Sequence, residues 1–219
     1  MMGARGFLPV LALLLFAIPA AAESDPAPAK THALCWRGKP LPECRSFLIT
    51  ELGVLYRLDH DPISLGASRL HFSLDLGWMK NVSDRAAVGA TAYGLAGSDH
   101  ARTGIRGRYR HWISRESSLD FAPGVLLGGG EDSGLKFQSP GFVGAVILNQ
   151  GDWVAVTVEG EYSRFRSYGY AGSGIASQKA SDMTWRAGAK LGSAPGTIGA
   201  VLLVGAAVVV ALSFASAFD

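Results

Sequence analysis

From Phe47 to Leu191 apolar and polar residues alternate with a period of two, the pattern of strands whose successive side chains point to opposite faces. One segment sets Leu70, Phe72, Leu74, Leu76 and Trp78 against His71, Ser73, Asp75 and Gly77. Another sets Ile105, Tyr109 and Ile113 against Arg102, Arg106, Arg108 and Arg110. A third opposes Val154, Val156, Val158 and Tyr162 to Thr157, Glu159, Glu161 and Ser163, and a fourth opposes Met183, Trp185, Ala187, Ala189 and Leu191 to Thr184, Arg186, Gly188 and Lys190. Eight runs of this kind are predicted as strands: 47–57, 69–80, 86–97, 102–113, 118–127, 141–149, 153–165 and 183–191. The third is nearly all Ala and Gly and the sixth is apolar on both faces, so these two rest on spacing and on the need for partners. Most runs have about ten residues, the length with which a tilted strand crosses a hydrocarbon layer.

The connections add a second signal. Short turn-rich links near Asn81, Ser114 and Asn149 alternate with longer ones around Asp59, Gly128 and Tyr168, the link between the third and fourth runs being the brief exception. Short and long links therefore fall at opposite ends of an antiparallel array. Tyr56, Trp78, Tyr109, Trp153, Tyr162 and Trp185 lie near run ends, where a membrane interface favours them. With even strand number, alternation, unequal links and aromatic ends, the chain resembles the small eight-stranded outer-membrane barrels of the OmpA-like and OmpX-like kind. The resemblance is architectural, covers 47–191, and carries no residue motif. It implies an all-β, antiparallel, eight-stranded up-and-down membrane barrel.

The ends of the sequence bear on compartment. Arg5, the apolar run from Phe7 to Ile18, and Pro19 followed by Ala20, Ala21 and Ala22 read as a signal peptide over residues 1–22. Residues 23–46 are Pro-rich and contain both cysteines, Cys35 and Cys44, which an oxidising compartment would join in a disulfide. Only His32 is near them, so a metal site lacks ligands, and the spacing is not that of a redox motif. A formal net charge of +2 gives no ground for nucleic-acid binding. At 48% hydrophobic and 17% charged residues, the expected partner is a lipid bilayer. No cofactor is implied.

The polar faces are where chemistry could reside. Parity places Glu51, Asp75, Asp120, Glu159 and Glu161 with Arg106, Arg108, Arg110, Arg186 and Lys190 on one side of the wall. An eight-stranded barrel has room inside only for side chains, so these ten are expected to form an ion-paired network in the lumen. The competing reading is a solvated or headgroup-binding basic face; the balance of signs argues against it. Glu159 and Glu161, two residues apart on one strand, are structural partners rather than an acid/base pair. His111 with Ser114 and Ser117 is the only hint of a lipid-modifying hydrolase, and His111 falls on the apolar parity. The chain is therefore expected not to be an enzyme.

Residues 197–218 carry no charge and no alternation, and read as an apolar helix of transmembrane type. Gly199, Gly205 and Ala206 would allow it to pack closely on another surface. Two arrangements accommodate it. Either the helix lies beside the barrel wall in one membrane, or it anchors a periplasmic β-barrel that encloses an apolar ligand. The charged inward parity favours the first, with the barrel over 47–192 in the outer membrane and a role in envelope integrity or surface contact.

Overall fold

The computed structural model describes residues 34–36, 38–59, 69–98, 100–131, 135–151, 153–167, 179–192, 196, 198, 199 and 201. The readings of a signal peptide over 1–22, of His32 and of most of 197–218 lie outside the described residues.

The alternating runs form β1 (Ser46–Arg57), β2 (Leu70–Asn81), β3 (Ala86–Ala96), β4 (His100–Trp112), β5 (Ser117–Glu131), β6 (Leu135–Gln150), β7 (Val154–Ser167) and β8 (Lys179–Leu191). Each pairs antiparallel with the next, and β8 returns to β1, closing the barrel. Period-two alternation explains the closure. On β2, Phe72, Leu76 and Trp78 are exposed outside while His71, Ser73 and Asp75 are buried inside. The barrel is inverted relative to a water-soluble one: polar and charged side chains fill its interior, and Ile105, Leu127 and Phe142 stand more than half exposed on its exterior.

One end of the barrel, the turn side, carries the tight links 82–85, 113–116 and 151–153. Ser114 Oγ accepts from the amides of Glu116 and Ser117, a local turn that lets β4 fold back into β5. Gly151, at φ 60°, supplies the left-handed residue of the β6–β7 link. The opposite, loop side differs from the sequence expectation at two places. The glycine-rich stretch from Gly128 has the composition of a long loop, but β5 runs on to Glu131 and β6 begins at Leu135. Gly128, Gly129 and Gly130 pair with Thr103, Arg102 and Ala101; glycine has no side chain to alternate, so such a strand leaves no pattern. Likewise β8 starts at Lys179 rather than Met183, pairing Ala180 with Phe165 and Ser181 with Arg164.

β6 is apolar on both faces for a structural reason. Its inward Ala145 and Ile147 pack against Ala122 and Ala155, so one sector of the lumen is small and apolar. A second apolar cluster of Leu55, Tyr93, Leu95, Leu126, Phe137 and Val143 sits inside toward the loop side.

The turn side is closed by the segment before β1. Cys35 and Cys44 form a disulfide, with Cα atoms 5.9 Å apart. Cys35 also pairs with Phe47 in a parallel bridge, its amide donating to Ser46 O at 2.7 Å. Asn81, which the sequence reading took only as part of a turn, holds this segment in place. Its Nδ2 donates to Lys39 O and Cys44 O at 2.7 and 2.8 Å, and its Oδ1 accepts from Trp112 Nε1 at 2.9 Å. Asn81→Ala is expected to lower stability by roughly 2 kcal/mol, because three groups lose their partner in a buried place. Urea unfolding checks this; an unchanged midpoint would mean that Asn81 does not retain the segment.

Candidate functional site: a chain of buried charges through the lumen

Six strands contribute charges to the interior. Glu51 comes from β1, Asp75 from β2, Arg102, Arg106, Arg108 and Arg110 from β4, Asp120 from β5, Glu159 and Glu161 from β7, and Arg186 and Lys190 from β8. On β4 the four arginines fall at every second or fourth position, so one strand delivers a column of cations to the lumen. Register sets their partners. Arg110 lies opposite Asp120, and Glu159 opposite Arg186. Glu51 lies opposite Asp75, a like-charge pair that is unfavourable unless a cation joins it.

That cation is Lys190. Its Nζ lies 3.7 Å from Glu51 and donates to Asp75 Oδ2. Room for its stem comes from Gly53, where a Cβ would stand 2.8 Å from Lys190 Cγ and 2.5 Å from Ser73 Oγ.

Followed from the turn side, the charges among the described residues form one sequence of alternating sign: Arg110, Asp120, Arg108, Glu51, Lys190, Asp75, Arg106, Glu159, Arg186, Glu161, Arg102. The first links are Arg110 Nε to Asp120 and Arg108 Nε to Asp120, both 2.7 Å. Arg108 then reaches across the lumen with both terminal nitrogens, at 3.0 and 2.6 Å from the two oxygens of Glu51. This two-point grip is the geometry for which guanidinium suits carboxylate. Beyond Lys190 and Asp75, Arg106 approaches Asp75 at 3.5 Å and donates to Glu159. Arg186 lies 3.7 Å from Glu159 and 2.8 Å from Glu161, and Arg102 closes the sequence 2.9 Å from Glu161. Every acid thus lies between two cations.

Neutral side chains occupy some of the remaining valences, although Arg106 Nε and Arg186 Nε are buried with no hydrogen-bond partner among the described residues. Tyr93 donates to Glu159, Thr91 to Asp75 at 3.2 Å, and Ser163 to Glu161. The Arg106 guanidinium also lies 3.4 Å from the centre of the Tyr93 ring, where a cation is favoured by the ring face. Toward the loop side Arg186 Nη2 lies 3.2 Å from His100 Nε2, and the His100 ring lies against His71 with ring centres 4.7 Å apart and planes tilted by 45°. The side chains of Arg106, Arg108, Arg110, Asp120 and Glu159 are 0% exposed, so none of them opens onto bulk solvent at either end.

The structure brings together all ten charges singled out in the sequence and adds Arg102. Arg102 shares the parity of the other β4 arginines, a signal sufficient to have included it. Tyr93 and Thr91 were not legible, because β3 is otherwise Ala and Gly with single Val and Leu residues and gives no readable face. His111 stands on the outside of the wall, whereas Ser117 is buried and donates to Gln150 at 2.8 Å. Ser114 is occupied in its turn, so these three do not assemble as a nucleophile and base. Among the described residues no group of His, Cys, Asp and Glu is arranged to hold a metal ion. No protein-family model matches the chain, and neither does any curated protein or solved structure.

Proposed function

We propose that this chain is a membrane-spanning barrel of the outer-membrane type, with a structural role in envelope integrity or in surface contacts made from its loop side. The supporting observation is the inversion of the wall: a sealed, charge-filled interior inside a continuous apolar exterior. In water such an exterior would be a large unsatisfied surface, whereas in a bilayer it is the surface required. Outward aromatics add to this. Trp78, Tyr109 and Trp153 lie toward the turn side, and Tyr56, Tyr162 and Trp185 lie nearer the loop side, the placement of two interfacial belts. Outward Gly144 and Gly160 leave a shallow groove of about 630 Å³ between Phe142, Tyr162, Met183 and Trp185, suited to an acyl chain.

The same inversion weighs against an anchored periplasmic barrel holding an apolar ligand, which would need its apolar faces turned inward. It also weighs against conduction, because the cross-section is filled by paired side chains. Separation of inner and outer membranes, with gel migration compared before and after boiling, tests the proposal. The expected result is recovery in the outer membrane with faster migration of the unboiled form. Inner-membrane recovery without that shift would overturn it.

A further inference from the structure

β8 pairs with β1 at six positions only, Leu52 to Arg57, whereas every other neighbouring pair is matched at ten or more. The closing seam is therefore short, and Ser46–Glu51 lie below the reach of β8. Gly196, beyond the end of β8, lies against this gap. Gly192 N donates to Trp153 O at 2.7 Å, and Gly196 N donates to Gly192 O at 3.2 Å, a helical four-residue step. A Cβ at Gly196 would stand 2.3 Å from Thr50 O and 2.4 Å from Leu191 O; one at Gly199 would stand 2.6 Å from Leu52 Cδ2.

Gly196 and Gly199 are one helical turn apart and both face β1, so the backbone there lies directly on the wall. Ile198 and Val201 are 62% and 65% exposed on the far side. The wall carries a matching mark. Leu48, Thr50, Leu52 and Leu74 point outward yet are only half-exposed, while their neighbours Val54, Phe72 and Leu76 are exposed. Leu52 and Leu74 are register partners, so the mark crosses from β1 to β2. Barrel strands tilt by about 35–45°, so a helix parallel to the barrel axis crosses strands in this oblique way.

We propose that residues 197–218 dock as an apolar helix along this track, across the outer face of β1 and onto β2, within the bilayer that holds the barrel. This rests on the membrane reading above. The length fits: twenty-two residues rise roughly 33 Å as a helix, against a hydrocarbon core of about 30 Å. So does the chemistry, since no charge occurs between Lys190 and Asp219. Small residues against the wall and large ones toward lipid are the arrangement by which a helix associates inside a membrane. The segment starts at the turn side, so it delivers residue 218 to the loop side. It is a ninth crossing, and it places Asp219 across the membrane from the Cys35–Cys44 disulfide.

Oxidative cross-linking in the full-length protein, in its own membrane, tests the docking. Leu52→Cys with Gly199→Cys is expected to convert most molecules to an internally cross-linked monomer, since the first change removes the atom that a side chain at 199 would meet. Leu52→Cys with Ile198→Cys is expected to give none. A band of dimer size would assign the track to a second copy and overturn the proposal. An intact boiling shift without an internal cross-link would overturn it while leaving the membrane barrel standing. Loss of the shift in the unsubstituted protein would instead overturn the membrane reading on which the docking rests. As a second measurement independent of the cysteines, a tag after Asp219 should be removed by protease added to intact cells; protection of the tag would overturn the sidedness.

Discussion

Arg108→Met is expected to destabilise the folded barrel by about 3–5 kcal/mol, the cost of removing one partner from a buried ionic group. Arg108 crosses the lumen with both terminal nitrogens on one carboxylate, at 3.0 and 2.6 Å from Glu51, and its Nε also serves Asp120 at 2.7 Å. Without it Glu51 keeps the 3.7 Å approach of Lys190 and directly faces Asp75 across the β1–β2 register. Adding Glu51→Gln to Arg108→Met should recover part of the loss, because the acid left without its partner is then neutral. The measurement is urea unfolding in vesicles for the single and double variants, combined as a double-mutant cycle. A loss below about 1 kcal/mol, the range of exposed pairs, would show that water reaches these groups in the folded state.

The second large effect concerns the other face. Ile105→Arg, in the middle of β4 with Ala92 and Val125 as lateral partners, should cost about 2–4 kcal/mol, whereas Ile113→Arg, beside the turn, should cost about 0–1 kcal/mol. Both side chains are more than half exposed on the exterior, so a barrel in water would tolerate both changes equally. Only a surrounding hydrocarbon makes the cost depend on depth. Equal and negligible effects at the two positions, measured by refolding into vesicles, would overturn the membrane reading.

The alternation of β2, β4, β7 and β8 was legible because each carries large side chains on one face and charges on the other, and the barrel inherits its polarity from those strands. Where glycine replaces side chains the signal vanishes, as in Gly128–Gly130, which reads as loop but continues β5. Parity identified ten of the eleven charges in this sequence, and the eleventh, Arg102, stands on the same parity of β4. Their order along the lumen was not legible, because it depends on the stagger between strands: Lys190 reaches Asp75, 115 residues away, only once β8 has closed on β1. Asn81 was hidden for a related reason. A turn-like Asn looks alike whether it faces water or bonds to Lys39, Cys44 and Trp112.

The opposition of Glu51 and Asp75 has a consequence for how the barrel assembles. The first hairpin in the chain holds two like charges side by side, and the lysine between them sits on the last strand. A partly built wall of β1 to β7 would therefore hold each of these acids with its β4 arginine alone, Arg108 for Glu51 and Arg106 for Asp75, and without the cation that joins the two. Arrival of β8 supplies hydrogen bonds to the edge and the counter-charge together. Closure of the wall and completion of the charge sequence thus become a single event, since the strand that closes the seam also carries the lysine that links Glu51 to Asp75.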